Sequence, residues 1–284
     1  MTRLFILGVA FATAIATIRA QAPIFSTRRE IVRVDVLVTK DGRTMRGLSA
    51  ADFEVQDEGV PQHVSLATFE EVPINVILAL DLSNSVSGER LEHLRTAGLA
   101  VLDDLKPADS GALVTFSHVV TVRQAPTQDV GLLRDALAGL EPGGRTALVD
   151  AAYAAMMLAD SDPGRDLAIV FSDGGDTSSW LTPDQVLESA RLLDVTVYSV
   201  SVGSPGNTQF LEDLRDLTGG RALKISSTSN LRQTFVDILD EFRHRYLISY
   251  SPRGVSKDGW HNLRVRVKGR EVKVNARAGY HAGS

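Results

Sequence analysis

Two stretches of the chain, INVILALD (residues 74–81) and DLAIVFSD (166–173), are almost continuously apolar over the length of a β-strand. A strand without polar alternation is buried on both faces, as in a parallel sheet that helices cover on each side. A segment with helical periodicity follows each stretch, over residues 88–107 and 182–193. We therefore predict an α/β fold, a doubly wound and mostly parallel sheet with helices on both faces.

The segments on either side of this α/β unit have the two-residue period of half-buried strands. IVRVDVLV (31–38) alternates apolar and polar residues, and strand-like segments return after Arg245. Each flank is too small to bury a core alone, so we predict that they join in a small antiparallel β-sandwich into which the α/β domain is inserted. Two unconnected β-extensions are the alternative. The predicted units are a signal peptide (1–20), the N-terminal part of the sandwich (24–72), the α/β domain (73–243) and the C-terminal part of the sandwich (244–282).

The first twenty residues, MTRLFILGVAFATAIATIRA, have the layout of a secretory signal peptide. Arg3 precedes an apolar stretch, and cleavage is expected after the small residue Ala20. A retained membrane anchor is the alternative, although the stretch is short for a helix of ~20 residues that spans a bilayer. We expect a secreted or periplasmic protein of bacterial type, with no membrane span in the mature chain.

Composition narrows the chemistry available to the chain. It has 284 residues, a formal net charge of −5 and no basic block, which makes it a poor nucleic-acid binder. Because it has no cysteine, disulfides and thiolate metal sites are excluded. Its six histidines are scattered without the spacing of metal ligands.

Oxygen-bearing side chains follow the buried strands at the positions where ligands bind in doubly wound sheets. Asp81, Ser83 and Ser85 form the pattern D-x-S-x-S after the first strand, Thr146 follows GGR, and Asp173 ends the strand DLAIVFSD. Two carboxylates and three hydroxyls are an all-oxygen donor set that suits a hard cation such as Mg²⁺, with Mn²⁺ and Ca²⁺ as alternatives. One coordination position is expected to stay open to an outside ligand.

The stretch from about Pro73 to Arg243 resembles a von Willebrand factor type A (VWA) domain. The five oxygen-bearing positions match the metal-ion-dependent adhesion site (MIDAS) of that family, with GGRTALVDA and VFSDGGDTSS in the expected order. Asn84 stands where the family often has glycine. The flanks resemble those of secreted VWA-related proteins of Acidobacteria. The resemblance implies a non-enzymatic binding module whose metal coordinates an Asp or Glu carboxylate of a partner protein.

Four residues near this site are predicted to form a partner-binding rim: Asn84, Gly144, Gly174 and Trp180.

Less specific interpretations of the same region exist. Ser83 and Ser85 could cap the helix that starts near Gly88, and residues 176–179 could be ordinary solvated loop polarity. Trp180 could pack against the domain instead of contacting a partner. We expect His118 at the surface, and residues 243–245 as a basic cluster at a helix C-terminus, where the helix dipole favours cations.

Two other functions compete with the binding module. In a structural envelope protein, the metal would only stabilise loops. In a phosphotransfer enzyme, Asp81 would act as a nucleophile beside Mg²⁺. The second is disfavoured because Ser83, rather than another carboxylate, lies two residues after Asp81, and no lysine stands at a later strand end.

Overall fold

The computed structural model describes residues 31–68, 72–159, 164–203 and 209–283. The predicted signal peptide lies outside the described residues. In the described part of the chain, no helix combines the length and the apolar character needed to cross a membrane.

The helices are α1 (Glu89–Asp103), α2 (Val130–Ala138), α3 (Leu148–Met157), α4 (Pro183–Leu192), α5 (Gln209–Thr218) and α6 (Leu231–Arg243). The strands are β1 (Val32–Lys40), β2 (Arg43–Thr44), β3 (Phe53–Asp57), β4 (Val60–Gln62), β5 (Val64–Thr68), β6 (Ile74–Asp81), β7 (Ser110–Phe116), β8 (Val120–Thr127), β9 (Arg165–Ser172), β10 (Val195–Val202), β11 (Arg221–Ile225), β12 (Tyr246–Tyr250), β13 (Gly259–Val267), β14 (Lys273–Asn275) and β15 (Gly279–Ala282).

The central sheet has the order β11-β10-β9-β6-β7-β8. Its strands are parallel except β8, which runs antiparallel to β7 at the edge. The predicted α/β fold with a largely parallel sheet is confirmed. Since β6, β7 and β9 are neighbours, the loops that follow their carboxyl ends lie at one edge of the sheet.

Helices cover both faces of this sheet and explain the continuous apolar strands. Along β6, Val76, Leu78 and Leu80 belong to a core with α1, α2 and α6. The alternate residues Ile77 and Ala79 belong to a second core with α3, α4 and α5. Both faces of the strand from Val76 to Leu80 are therefore covered by a hydrophobic interior. The helix α4 begins with a capping box of Thr182 and Gln185.

The flanking segments pair with one another. One antiparallel sheet has the order β14-β1-β12-β5, with β2 on β1, and a second has the order β15-β13-β3-β4. Both sheets combine strands from before and after the α/β unit, and their apolar sides share one hydrophobic cluster. The paired flanks thus bury a core that neither could form alone.

A buried polar network ties the two flanking sheets together. The Asp57 carboxylate accepts hydrogen bonds of 2.9 Å from the hydroxyls of both Tyr250 and Tyr280, and its other oxygen lies 2.8 Å from His261 Nδ1. Asp57 and His261 are fully buried. Burial is also the main cause that raises the pKa of Tyr250, so its hydroxyl keeps its proton. The sequence alone does not indicate this role for His261, because Asp57 lies 204 residues away in the chain.

Two arginines join the flanking sheets to the central domain. Arg165 Nε donates to Asp35 of β1 at 2.6 Å, and its Nη2 donates to the Phe242 carbonyl at 3.0 Å. Arg245 is completely buried and donates to the Gly219 carbonyl. The expectation of a basic cluster at the end of α6 is therefore wrong for Arg245, which lies in the interior between the sheets.

Replacing Asp57 by alanine is expected to lower the free energy of unfolding by about 3 kcal/mol or more, because three buried donors lose their acceptor. Urea unfolding followed by tryptophan fluorescence measures this loss. Trp260 lies in β13, whereas Trp180 is already almost fully exposed in the folded chain.

The matched control is Glu54→Ala. Glu54 is an exposed residue of the same strand, opposite Arg266 of β13. This variant should keep the urea midpoint of the unchanged protein. Identical midpoints for the two variants would contradict the account of the Asp57 network.

Candidate metal centre

Asp81 is the last residue of β6 and is completely buried. Its Oδ1 accepts a 2.7 Å hydrogen bond from the main-chain N–H of Ser83, and its Oδ2 accepts a 2.6 Å hydrogen bond from the Ser172 hydroxyl. The next residue, Leu82, donates its N–H to the Phe116 carbonyl of β7 at 2.7 Å. These contacts fix the Asp81 carboxylate at the edge of the sheet.

The serines of the D-x-S-x-S pattern connect this loop to Asp173. The hydroxyls of Ser83 and Ser85 lie 3.1 Å apart, and Ser85 donates to Asp173 Oδ1 at 2.6 Å. The Asp173 side chain is only 1% exposed, and its Oδ2 accepts a 2.8 Å hydrogen bond from Arg90. Three predicted site residues thus form one hydrogen-bonded chain.

Thr146 belongs to a loop that is bonded to both neighbouring loops. On one side, Asn84 and Gly144 exchange two hydrogen bonds, of 3.1 Å from the Asn84 N–H and of 3.0 Å to the Asn84 side chain. On the other side, the Thr146 N–H donates to the Thr177 hydroxyl at 3.0 Å, and the Thr177 N–H donates to the Thr146 carbonyl at 2.8 Å. These hydrogen bonds hold the Thr146 loop between the loops that carry Asp81 and Asp173.

The donor set fits a hard divalent cation. Burial raises the pKa of Asp81 above that of an ordinary carboxyl group; the Asp173 charge adds to the rise, while hydrogen bonds from Ser172 and Ser83 oppose it. A nearby cation would offset the free-energy cost of burying the ionised Asp81 carboxylate. In the described ranges, no cluster of three or more His, Cys, Asp or Glu residues could hold a metal. Beside the two carboxylates lie the hydroxyls of Ser83 and Ser85, with Thr146 on the adjoining loop, and hydroxyl oxygens are ligands that hard cations accept.

The structure does not support helix capping by Ser83 and Ser85. Helix α1 begins at Glu89 after Gly88, and its N-terminus has no side-chain cap hydrogen bond. Ser179, expected to be solvated, instead accepts hydrogen bonds of 3.1 Å from the N–H groups of Val149 and Asp150. It caps the first turn of α3 from another loop.

The four predicted rim residues lie on the three loops that carry the site. Asn84 is exposed. Gly144 has φ +90°, and a Cβ there would lie 2.2 Å from Nδ1 of His118, so this position requires glycine. The Trp180 side chain is 92% exposed. The main-chain N–H of Trp180 donates to the Asp150 carboxylate at 2.9 Å, which fixes the loop while the indole faces solvent.

Sequence reasoning missed three residues that position the site. Ser172 directly precedes Asp173, but a serine at the end of a buried strand gives little signal. Asp150 lies in the first turn of α3, where an acidic residue is expected from the helix dipole alone. Arg90 did carry a signal, because a cation in the first turn of a helix opposes the dipole.

Residues 75–237 match the model of the von Willebrand factor type A domain family. This match covers more than half of the chain, and the chain belongs to that family.

The chain is similar to human inter-alpha-trypsin inhibitor heavy chain H4, with 26% identity over 249 residues, covering 81% of this chain and 27% of the human protein. It therefore spans about a quarter of the length of that relative. Among solved structures, it shares the fold of a von Willebrand factor type A protein from Catenulispora acidiphila, with a TM-score of 0.55, 14% identity and coverage of 85% and 76%. Proximal thread matrix protein 1 from the mussel byssus, solved with a zinc-occupied MIDAS motif, gives a TM-score of 0.55 at 14% identity, with coverage of 66% and 49%.

Replacing Asp150 by alanine is expected to speed hydrogen exchange of the Trp180 and Leu181 amides by roughly tenfold, because both lose their acceptor. Hydrogen exchange measured by NMR checks this. Asp184→Ala, which removes an exposed carboxylate from the first turn of α4, is the control and should leave both amides unchanged. Unaltered exchange in Asp150→Ala would show that the carboxylate does not hold this loop.

Proposed function

We propose that the protein is an exported, non-enzymatic binding module that holds a divalent metal and uses it to capture an Asp or Glu side chain of a partner protein. The metal ligands in this proposal are Asp81, Ser83, Ser85, Thr146 and Asp173. The observation that carries it is the hydrogen-bonded chain from Ser83 through Ser85 to Asp173, beside the buried Asp81 carboxylate. The zinc-occupied MIDAS motif of the mussel protein supports the proposal by similarity of fold.

Mg²⁺ is the proposed ion, with Mn²⁺ and Ca²⁺ as alternatives, because small hydroxyl-rich sites suit a compact cation. The bound cation would supply an open coordination position for one oxygen of an incoming carboxylate. The protein contributes three loops fixed by hydrogen bonds, a buried carboxylate, and a rim of Asn84, Gly144, Gly174 and Trp180, of which Asn84 and Trp180 are exposed. Because the loops are already bonded to one another, little ordering of the site would oppose binding.

The phosphotransfer alternative is disfavoured by the surroundings of Asp81. A phosphotransfer site of this kind needs a second carboxylate as general acid beside its nucleophile. The hydrogen bonds to the Asp81 carboxylate come from Ser83 and Ser172, and neither residue is a carboxylate. Hydrolysis of a phosphate ester that disappears in Asp81→Asn would reverse this judgement.

The proposal assigns different roles to different segments of the chain. Residues 73–243 would be the binding domain, and residues 24–72 and 244–282 together would form the β-sandwich that supports it. Export is proposed from the N-terminal segment 1–20 and from the resemblance of the flanks to secreted VWA-related proteins of Acidobacteria. The contacts of Arg165 and Arg245 support a fixed orientation of the binding domain on this base.

Mg²⁺ is expected to raise the melting temperature of the mature chain from Gln21 by roughly 5–10 °C at a hundredfold excess over its Kd. Asp81→Asn should abolish this response, because the site loses a buried anionic ligand. Differential scanning calorimetry with and without Mg²⁺ measures it. Asp103→Asn, an exposed carboxylate at the other end of α1, is the control and should respond as the unchanged protein does. A full Mg²⁺ response in Asp81→Asn would contradict the assignment.

A partner protein is expected to bind the mature chain in Mg²⁺ and to be released in EDTA. Affinity capture from an envelope extract of the source organism tests this, with Thr146→Ala as the matched variant. Retention only by the unmutated chain in Mg²⁺ supports the adhesion function. Equal capture under all conditions, together with an intact thermal response to Mg²⁺, would favour the structural role, in which the metal only stabilises loops.

A further inference from the structure

Arg90 places a positive charge directly on one of the proposed metal ligands. Its Nη1 donates to Asp173 Oδ2 at 2.8 Å and to the main-chain carbonyl of Ser85 at 3.3 Å. The Asp173 side chain is almost completely buried, whereas the Arg90 side chain is 51% exposed. The guanidinium therefore contacts Oδ2 of Asp173, while the Ser85 hydroxyl donates to Oδ1.

The position of Arg90 on its helix is unfavourable without this contact. It lies in the first turn of α1, where the helix dipole disfavours cations. The acidic residues of that turn suit the dipole and have other partners, since Glu92 pairs with Arg95 and Glu89 lies 3.8 Å from His93. The Arg90 side chain pairs with Asp173 instead of with these acidic residues. This ion pair explains why a cation occupies the first turn of α1.

Charge balance indicates what this contact does. When both are ionised, Asp81 and Asp173 carry two negative charges, and Arg90 adds one positive charge, so these three side chains sum to −1. A divalent cation would bring it to +1, which matches one incoming carboxylate. Without Arg90, the charges of the two carboxylates and a divalent cation would sum to zero. No positive charge would then remain to attract an incoming carboxylate.

We propose that Arg90 is a built-in counter-charge that weakens binding of the metal alone and couples it to binding of an acidic group. This inference rests on the proposed function. The Arg90–Asp173 contact opposes the charge of one proposed ligand, and the positive charge left after metal binding would attract the carboxylate. By linkage, a carboxylate that strengthens metal binding is itself bound more tightly in the presence of metal, by the same factor.

Arg145, the cation on the neighbouring loop, is placed differently. Its guanidinium donates to the Thr177 carbonyl and so joins two loops of the site through a neutral group. Arg90 contacts a carboxylate of the site directly, and this distinguishes its effect on metal affinity from that of a nearby surface charge.

Isothermal titration calorimetry with Mg²⁺ alone, and with Mg²⁺ in acetate as the carboxylate probe, tests the inference on the mature chain. Arg90→Gln keeps a hydrogen-bond donor near Asp173 but removes the charge. In chloride, this variant should bind Mg²⁺ about five- to tenfold more tightly than the unchanged protein does. Acetate should strengthen Mg²⁺ binding by the variant less than it strengthens Mg²⁺ binding by the unchanged protein. Arg90→Lys keeps the charge and should behave as the unchanged protein does.

The charge-matched control is Arg134→Gln, because Arg134 pairs with Asp103 at the opposite end of α1, about 20 Å along the helix. Its Mg²⁺ affinity should equal that of the unchanged protein. Equal or weaker Mg²⁺ binding by Arg90→Gln would overturn the inference and leave Arg90 as a residue that only positions Asp173. An unchanged protein that binds no Mg²⁺ would overturn the proposed function itself, and the inference with it.

Discussion

The burial of the Asp81 carboxylate is the constraint on which the site depends. The carboxylate ends the central strand of a sheet covered on both faces, where a charge is costly unless it is hydrogen-bonded or paired. Ser83 and Ser172 supply hydrogen bonds but no charge, and the pKa of Asp81 stays raised, chiefly because of its burial. A divalent cation would relieve the same cost. Burial makes the ionised Asp81 carboxylate costly when it is unpaired. The same burial therefore favours its pairing with a metal cation.

The rest of the molecule keeps this edge rigid. The loops after β6, before α3 and after β9 are linked by hydrogen bonds through Asn84, Gly144 and Thr177, so the proposed ligands are placed before any metal arrives. The paired flanks lock onto the central domain through Arg165 and Arg245, away from the carboxyl edge. Trp180 stays exposed on the loop that follows Asp173. This arrangement suits a module that presents one fixed surface to a partner.

Much of this architecture could be predicted from sequence because it rests on local patterns. Unbroken apolar strands predicted the doubly wound sheet, and D-x-S-x-S at a strand end predicted a cluster of oxygens. The missed features depend on contacts between residues far apart in the chain. The Asp57–His261 network joins positions 204 residues apart, and the burial of Arg245 depends on how the flanks cover the end of α6. Periodicity carries no information about such contacts, whereas Arg90 could have been noticed as a cation at the wrong end of a helix.

The metal is the central claim, and its position can be observed directly. Crystals of the mature chain soaked in Mn²⁺, a strong anomalous scatterer that stands in for Mg²⁺, would locate the ion from anomalous differences. The account predicts one strong peak about 2–2.5 Å from the hydroxyl oxygens of Ser83 and Ser85, at the edge that carries Asp81 and Asp173. A site that stays empty at saturating Mn²⁺, or a peak held by other residues, would contradict it.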